Sequence, residues 1–414
     1  MADPNFIRQT LEDLRARGLY RHLVALGPSP AVASGEGGSP AGPRVTLGGR
    51  EVLQFASNNY LGLANDPRVK EALARGIERW GWGAGASRLV AGHTEAHARV
   101  EADIAAFKHT EAALVFPSGY QTNLGVVGSL VGRGDLVLSD RENHASIYDA
   151  VKLSGARLVR YAHADADDAA RLLAKHRDAP GLATAKSRRA GTKPGRRLIV
   201  TDTVFSMDGR LAPLRALAEL AEREDAMLLV DEAHATGVLG PTGAGLAEEV
   251  GLESGITASV GTLSKALGGI GGFVAASREV CGLIVNRGRS FIYTTALPAA
   301  ACEAARAALE IVRTEPERRR RVLALAERLR GALREKGFDS GRSETQIVPV
   351  LVGAPERALA LAAALLERGI FCPAIRPPTV PPGTSRLRVS LTAEHTEEDI
   401  GRLVSALDDA RSRA

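Results

Sequence analysis

Three short stretches hold the residue types that make and break bonds beside a ligand. The first is Asp231-Glu232-Ala233-His234-Ala235-Thr236-Gly237. A carboxylate followed three residues on by an imidazole can address one ligand from two sides. A metal centre is not indicated, because no cysteine or further histidine stands close by to complete a ligand set. Alone, this stretch suits a site and a solvent-exposed capping loop equally. The second is Gly261-Thr262-Leu263-Ser264-Lys265-Ala266-Leu267-Gly268-Gly269, a lysine set among hydroxyls and glycines. A lysine drawn out of water gives up its proton more readily and can form a Schiff base with a carbonyl compound. Gly268, Gly269, Gly271 and Gly272 allow the backbone to approach a ligand closely. They make neither a dinucleotide fingerprint nor a Walker-type phosphate loop, and no strand leads into Gly81, Gly83 and Gly85. The third is Phe116-Pro117-Ser118-Gly119-Tyr120-Gln121-Thr122-Asn123, where an apolar run ends, Ser118 can cap and a helix begins. The free N–H groups and positive dipole end of a helix start suit phosphate, although most helix starts are only structural.

Each stretch follows a short apolar run. The runs are Ala112 to Phe116, Leu136 to Ser139, Leu198 to Thr201, Met227 to Val230, Ala258 to Thr262 and Gly272 to Ala276. Helical stretches separate them, which predicts an α/β fold with a mostly parallel sheet and helices on both faces. Ligands of such sheets bind beyond the carboxyl ends of the strands, so residues just past each run deserve inspection. Upstream, residues 4–26 read as an amphipathic helix with Ile7, Leu11, Leu14 and Leu19 on one side, and 27–50 as a loop with a short hairpin. Beyond Pro298, residues 299–336 read as one long helical region. A strand at 345–352, a helix at 355–368, a strand at 386–391 and a helix at 396–411 then suggest a smaller α+β domain. Thr396 would cap the last helix, with Asp399 in a capping-box position. The expected division is 1–50, a helix and linker; 51–297, a large ligand-binding domain; and 298–414, the smaller domain.

The chain has 414 residues, 45% hydrophobic and 24% charged, with a net charge of +5 and a pI near 9.2. Such a balance suits acidic small molecules or nucleic acid. The basic run Arg318 to Arg321 reads, however, as a solvated helix face. The run Lys186 to Arg197 contains Gly191, Pro194 and Gly195 and reads as a surface loop. No nucleic-acid partner is therefore expected. Cys281, Cys302 and Cys372 are three widely spaced thiols, which argues against a disulfide framework. Residues 1–20 lack an apolar signal core, and no apolar stretch reaches membrane-spanning length. A cytoplasmic protein without membrane contact or metal is expected.

The three stretches fit one ligand better than three unrelated tasks. Pyridoxal 5'-phosphate (PLP) needs a lysine for its aldehyde, a carboxylate at its pyridine nitrogen and a cradle for its phosphate. Lys265 and Asp231 supply the first two, His234 can bond the phenolic oxygen, and His144, after the run Leu136 to Ser139, can stack on the ring.

With those residues in place, the sequence resembles the α-oxoamine synthases, fold-type-I PLP enzymes, from about residue 10 to 410. The matching stretches are Ser57-Asn58-Asn59-Tyr60-Leu61-Gly62-Leu63, Ser87-Arg88-Leu89-Val90-Ala91-Gly92, Ser118-Gly119-Tyr120, Asn143-His144-Ala145-Ser146 and Phe205-Ser206-Met207-Asp208-Gly209. Further along come Asp231 to Gly237, Thr262-Leu263-Ser264-Lys265 and Tyr293-Thr294-Thr295-Ala296-Leu297-Pro298. The resemblance implies a PLP-dependent acyltransferase with a seven-stranded, mostly parallel sheet. It implies catalytic roles for Lys265, His144, Asp231 and His234, and cofactor contacts from Gly119, Tyr120, Ser206 and Thr262. It also implies a homodimer with the active site between subunits, where Thr294 and Thr295 reach the neighbour's phosphate. Family members join an amino acid to an acyl thioester. The segment Ala374-Ile375-Arg376-Pro377-Pro378-Thr379-Val380-Pro381 is most like members that join L-alanine to a pimeloyl thioester in biotin synthesis. There Arg376, Thr379, Arg21, Asn58 and His144 would meet the substrate. The alternative within the family is transfer of acetyl from acetyl-coenzyme A to glycine. The loop around 186–197 looks like an insertion relative to the family.

Overall fold

The computed structural model describes residues 5–29, 39–176 and 195–411. The chain forms two compact units. One comprises Leu61–Ser206 and Arg210–Arg320, and the other comprises the described parts of Met1–Tyr60 and Arg321–Ala414 together with Met207–Gly209.

The first unit is built on seven strands: β1 (Ala112–Phe116), β2 (Leu136–Asp140), β3 (Arg157–Tyr161), β4 (Arg197–Asp202), β5 (Met227–Asp231), β6 (Ala258–Thr262) and β7 (Gly272–Ala276). Their order is β1-β7-β6-β5-β4-β2-β3. The pairs from β6 through β3 are parallel, and β7 runs antiparallel to both β6 and β1. The reversal follows from chain length: residues 263–271 are too few for the crossover that parallel neighbours need. The inner strands are aliphatic on both faces because helices cover both. Leu114, Val126, Val137, Ile147, Val200, Leu229, Val260 and Val274 belong to one buried cluster. Each such side chain contributes about 1.5–3 kcal/mol, so the cluster makes a stiff floor under the polar strand ends.

Two differences from expectation have local causes. Strand β3, at one edge of the sheet, is absent from the apolar runs because Arg157 and Arg160 are exposed and break the pattern. Residues 299–336 form two helices, Ala299–Thr314 and Pro316–Glu335. Pro316 has no N–H to give, and Glu315 before it leaves the helical region at φ −121°, ψ 65°. The first of these helices packs on Pro67–Trp80. A Cβ on Gly76 would stand 2.8 Å from Ala300 Cα, so the two backbones approach too closely for any side chain there. Residues 298–320, expected with the smaller domain, thus belong to the first unit.

The solvated-face reading of Arg318 to Arg321 holds for Arg320 and Arg321, which are exposed, and is corrected at Arg318 and Arg319. Arg318 pairs with Asp66 at 2.9 Å and Glu315 at 2.7 Å, and the buried Arg319 donates to the Val312 carbonyl at 3.0 Å. Within the second unit Arg321 donates to the carbonyls of Ala393 and His395. Guanidinium forks used this way tie neighbouring segments to the helix.

In the second unit the opening helix is Asn5–Ala16, ten residues shorter than expected at its end. Gly18 adopts a left-handed φ of 63°, and its N–H bonds the Arg15 carbonyl, a glycine stop that the apolar pattern does not show. The unit holds a three-stranded sheet of Ile347–Gly353, Ser385–Ser390 and Ala374–Ile375 and a four-stranded one that pairs Arg50–Gln54 with Ile370–Phe371. The helix Glu397–Arg411 starts at the expected capping box. Asp399 N–H donates to Thr396 Oγ1 at 3.1 Å, and Thr396 N–H donates to Asp399 Oδ2 at 3.0 Å. The three cysteines are free and buried. All but Gly195 to Arg197 of the expected 186–197 loop lies outside the described residues. Among the described residues no helix is long and apolar enough to cross a membrane.

Candidate active site

Lys265 sits on the tight connection between β6 and β7, and His234 in the turn that follows β5. Lys265 Nζ and His234 Nε2 are 2.9 Å apart. Asp231 is the last residue of β5 and is buried. Its Oδ1 accepts the Ala233 N–H at 2.9 Å, and its Oδ2 accepts from Asn123 Nδ2 at 2.7 Å. Asn123 Nδ2 also donates to Ser146 Oγ at 2.9 Å, which in turn lies 2.7 Å from His144 Nδ1. A hydrogen-bonded line therefore runs from the carboxylate through Asn123 and Ser146 to the imidazole that caps helix Ala145–Ser154. Part of the His144 residue is open to solvent, yet surrounding protein atoms desolvate its ring and lower its pKa. The Asp231 charge opposes that shift, and the Lys265 charge adds to it. A lowered pKa favours the neutral imidazole.

The glycine-rich side closes the same region. Ser118 Oγ accepts the Gln121 N–H at 3.2 Å and so caps helix Gly119–Leu130. The first-turn amides, at Gly119 and Tyr120, are not used by a helix's own ladder. Gly272 is paired in register with both Phe116 and Thr262, which sets that helix start beside the end of β6. A Cβ on Gly272 would come within 2.5 Å of Thr122 Oγ1 and 2.6 Å of Gly119 Cα. Replacing Gly272 by Ala is expected to destabilise the first unit by about 1–3 kcal/mol, the usual range for overpacking, and a lowered urea midpoint would show it. Thr262 Oγ1 donates to the Gly271 carbonyl at 2.8 Å and lies 2.7 Å from Ser264 Oγ. Thr294 Oγ1 accepts from Gln121 Nε2 at 3.1 Å, beside the same helix start. Thr295 is exposed and bridges to Ser87, Ser206 is buried, and the Tyr120 hydroxyl donates to Asp149 at 2.6 Å.

Arg21, Asn58, Arg376 and Thr379 all belong to the second unit. Arg21 Nη2 donates to Thr379 Oγ1 at 3.1 Å, and Arg376 donates to the Gly18 carbonyl. All three line a cleft of about 800 Å³, together with Tyr20, Leu366 and Ile375. Asn58 is not part of that lining. Its Oδ1 accepts from the Tyr60 hydroxyl at 3.0 Å and from Arg388 at 3.1 Å.

Sequence reasoning assigned no role to several residues that organise the site. Asn123 and Ser146 are two. Lys108 and Glu232 form a third element, an ion pair whose side chains are 2% and 1% exposed. Glu232 also accepts the Ala247 N–H at 3.0 Å and the Ser259 hydroxyl at 3.2 Å, so the turn carrying Asp231 and His234 is pinned from behind. Asp202, at the end of β4, is the fourth. No group of residues suited to a metal ion occurs among the described residues.

A lysine and a histidine converging with a carboxylate at the strand ends, beside a glycine-lined helix start, define the class. The chain belongs to the aminotransferase class I and II family, whose model matches residues 50–407. It is 51% identical over 403 residues to the 8-amino-7-oxononanoate synthase of Anaeromyxobacter dehalogenans (strain 2CP-1), covering 97% of this chain and 94% of that one. It is likewise 51% identical over 399 residues to the 8-amino-7-oxononanoate synthase of Geobacter sulfurreducens, covering 96% and 95%. Among solved structures, serine palmitoyltransferase from S. paucimobilis with a bound PLP–myriocin aldimine matches with a TM-score of 0.86 at 30% identity over 99% of this chain and 97% of that one. An 8-amino-7-oxononanoate synthase from Francisella tularensis matches with a TM-score of 0.72 at 26% identity, over 87% and 98%.

Proposed function

We propose that this protein is a PLP-dependent acyltransferase that condenses L-alanine with a pimeloyl thioester and releases carbon dioxide, giving 8-amino-7-oxononanoate for biotin synthesis. The observation that carries the reading is the amine of Lys265 at 2.9 Å from His234, with the Asp231 carboxylate fixed by two donors. The donor set suits PLP: an amine for the aldehyde, a carboxylate for the pyridine nitrogen, an imidazole for the phenolic oxygen and helix-start amides for the phosphate. The bare backbone at Gly272 suits it too, since a Cβ there would stand 2.6 Å from the Gly119 nitrogen.

Bound PLP supplies a ring that takes up the electrons left when the Cα–H bond of an amino acid breaks. Lys265 would hold the cofactor through its Nζ, and the same amine, when free, would be the base that takes the alanine Cα proton. Asp231, held in place by Asn123 and the Ala233 amide, would face the pyridine nitrogen and keep its proton. His234 would bond the phenolic oxygen, and His144 would stack on the ring. Gly119, Tyr120 and Thr262 would receive the phosphate, Ser206 would touch the cofactor, and Thr294 and Thr295 would serve the phosphate of a second copy in a homodimer. Arg376 pairs with the alanine carboxylate, while Arg21, Asn58 and Thr379 meet the substrate. The alanine Cα then bonds the thioester carbonyl carbon as the thiol leaves. The resulting β-keto acid gives up carbon dioxide, and a proton returns to Cα. The cytoplasm, where such thioesters are made, is the proposed compartment.

The test is product analysis. With PLP and L-alanine, pimeloyl-coenzyme A or pimeloyl carrier protein is expected to give 8-amino-7-oxononanoate by mass spectrometry. Glycine and acetyl-coenzyme A, run in parallel, are expected to react far more slowly. A preference for the second pair would overturn the substrate assignment while leaving the PLP chemistry standing.

A further inference from the structure

Asp202 ends β4 and is the in-register neighbour of Asp231 on β5. Side chains at paired positions of adjacent strands project from the same face of a sheet, so the two carboxyl groups stand side by side. Asp202 is only 3% exposed. Its Oδ2 accepts the main-chain N–H of His144 at 3.0 Å, whereas its Oδ1 is buried and has no hydrogen-bond partner among the described residues. Asp231 is supported differently, with a donor on each oxygen. Two buried carboxylates side by side do not both ionise, and the one with fewer donors keeps the proton.

We propose that Asp202 is a proton-bearing positioning residue. As a neutral acid it leaves Asp231 as the sole negative charge offered to the pyridine nitrogen, and through the His144 amide it sets the start of the helix that carries the ring-stacking imidazole. This rests on the PLP reading above only for the identity of the ring. The charged and titratable groups around Asp202 are Asp231, Lys265, Asp140, His144 and the buried Tyr161 hydroxyl, with His163 beyond them at 3.2 Å from Asp140. Burial and then the Asp231 charge push the Asp202 pKa well above the ordinary carboxylate value, Asp140 adds to this, and Lys265 and the His144 amide act against it.

Infrared difference spectra of the cofactor-free protein test the protonation directly. Wild type minus Asp202→Asn at neutral pH is expected to show the carbonyl stretch of a protonated carboxyl group that shifts in heavy water. No such band would overturn the proposal. A second measurement tests positioning. Asp202→Ala removes the acceptor of the His144 amide and is expected to raise the dissociation constant for PLP at least tenfold. Asp202→Asn, which keeps a carbonyl and no charge, recovers most of that loss. If Asn proves as damaging as Ala, the residue works as an anion and the proposal fails. Wild-type protein that does not bind PLP would sink the function proposed above, while the infrared band would still decide the state of Asp202.

Discussion

Lys265→Ala loses turnover by roughly a thousandfold or more, because one substitution removes both the covalent anchor and the base, and a positioned base alone is worth about 10²–10⁴-fold. The loss appears in kcat with L-alanine at saturating thioester. It is accompanied by loss of the visible absorbance that a lysine-linked cofactor gives wild-type protein. Borohydride reduction followed by peptide mapping gives a second reading: wild type carries added cofactor mass on the peptide containing residue 265, and the variant carries none. Lys265→Arg separates charge from chemistry. A guanidinium keeps the cation beside His234 but remains protonated and does not form the bond, so it is expected to be as inactive as Ala. Turnover by either variant within tenfold of wild type would end the proposed mechanism.

Lys108→Met lowers the stability of the first unit by about 3–5 kcal/mol, the cost of leaving a buried charge without its partner. Glu232 loses the ammonium and keeps the Ala247 amide and the Ser259 hydroxyl, which do not neutralise it. The measurement is the midpoint of urea unfolding followed through a probe in the first unit, since a chain of two units need not unfold in one step. Adding Glu232→Gln to Lys108→Met is expected to recover much of the loss, because the stranded charge is then gone. The single variant also loosens the turn that bears Asp231 and His234, so its PLP affinity falls with its stability. A double variant no more stable than the single one would mean that packing, not charge, accounts for the effect.

Much of this architecture is legible in the sequence because the inner strands carry aliphatic runs that no surface segment needs. Leu136 to Ser139 and Met227 to Val230 advertise burial on both faces, whereas Arg157 to Tyr161 advertises nothing, since the exposed Arg157 and Arg160 interrupt it. The charged run at 318–321 misleads for a related reason. Composition records charge, but the hydrogen bonds from Arg319 to the Pro241 carbonyl and from Arg321 to the Ala393 carbonyl exist only once distant loops have packed. At the site, Lys265, Asp231 and His234 stand out as reactive types at strand ends. Asn123 does not, because its value lies in reaching Asp231 across 108 residues of chain. Asp202 was within reach of the rule that residues just past an apolar run matter, since it directly follows Thr201. What the sequence could not supply was its neighbour.

The antiparallel placement of β7 bears on how the protein can change over evolutionary time. Lys265 is carried by a connection whose ends, Thr262 and Gly272, are paired in register across the sheet. Within it Gly268 is wedged so tightly that a Cβ would sit 2.2 Å from the Ala64 nitrogen. A one-residue insertion or deletion there could be absorbed only by bulging the connection or by slipping β7, and a slipped strand turns every side chain to the opposite face. Length variation among descendants of this gene should therefore collect elsewhere and spare 263–271, and the nucleophile is free to move only by rotating its own four-carbon stem.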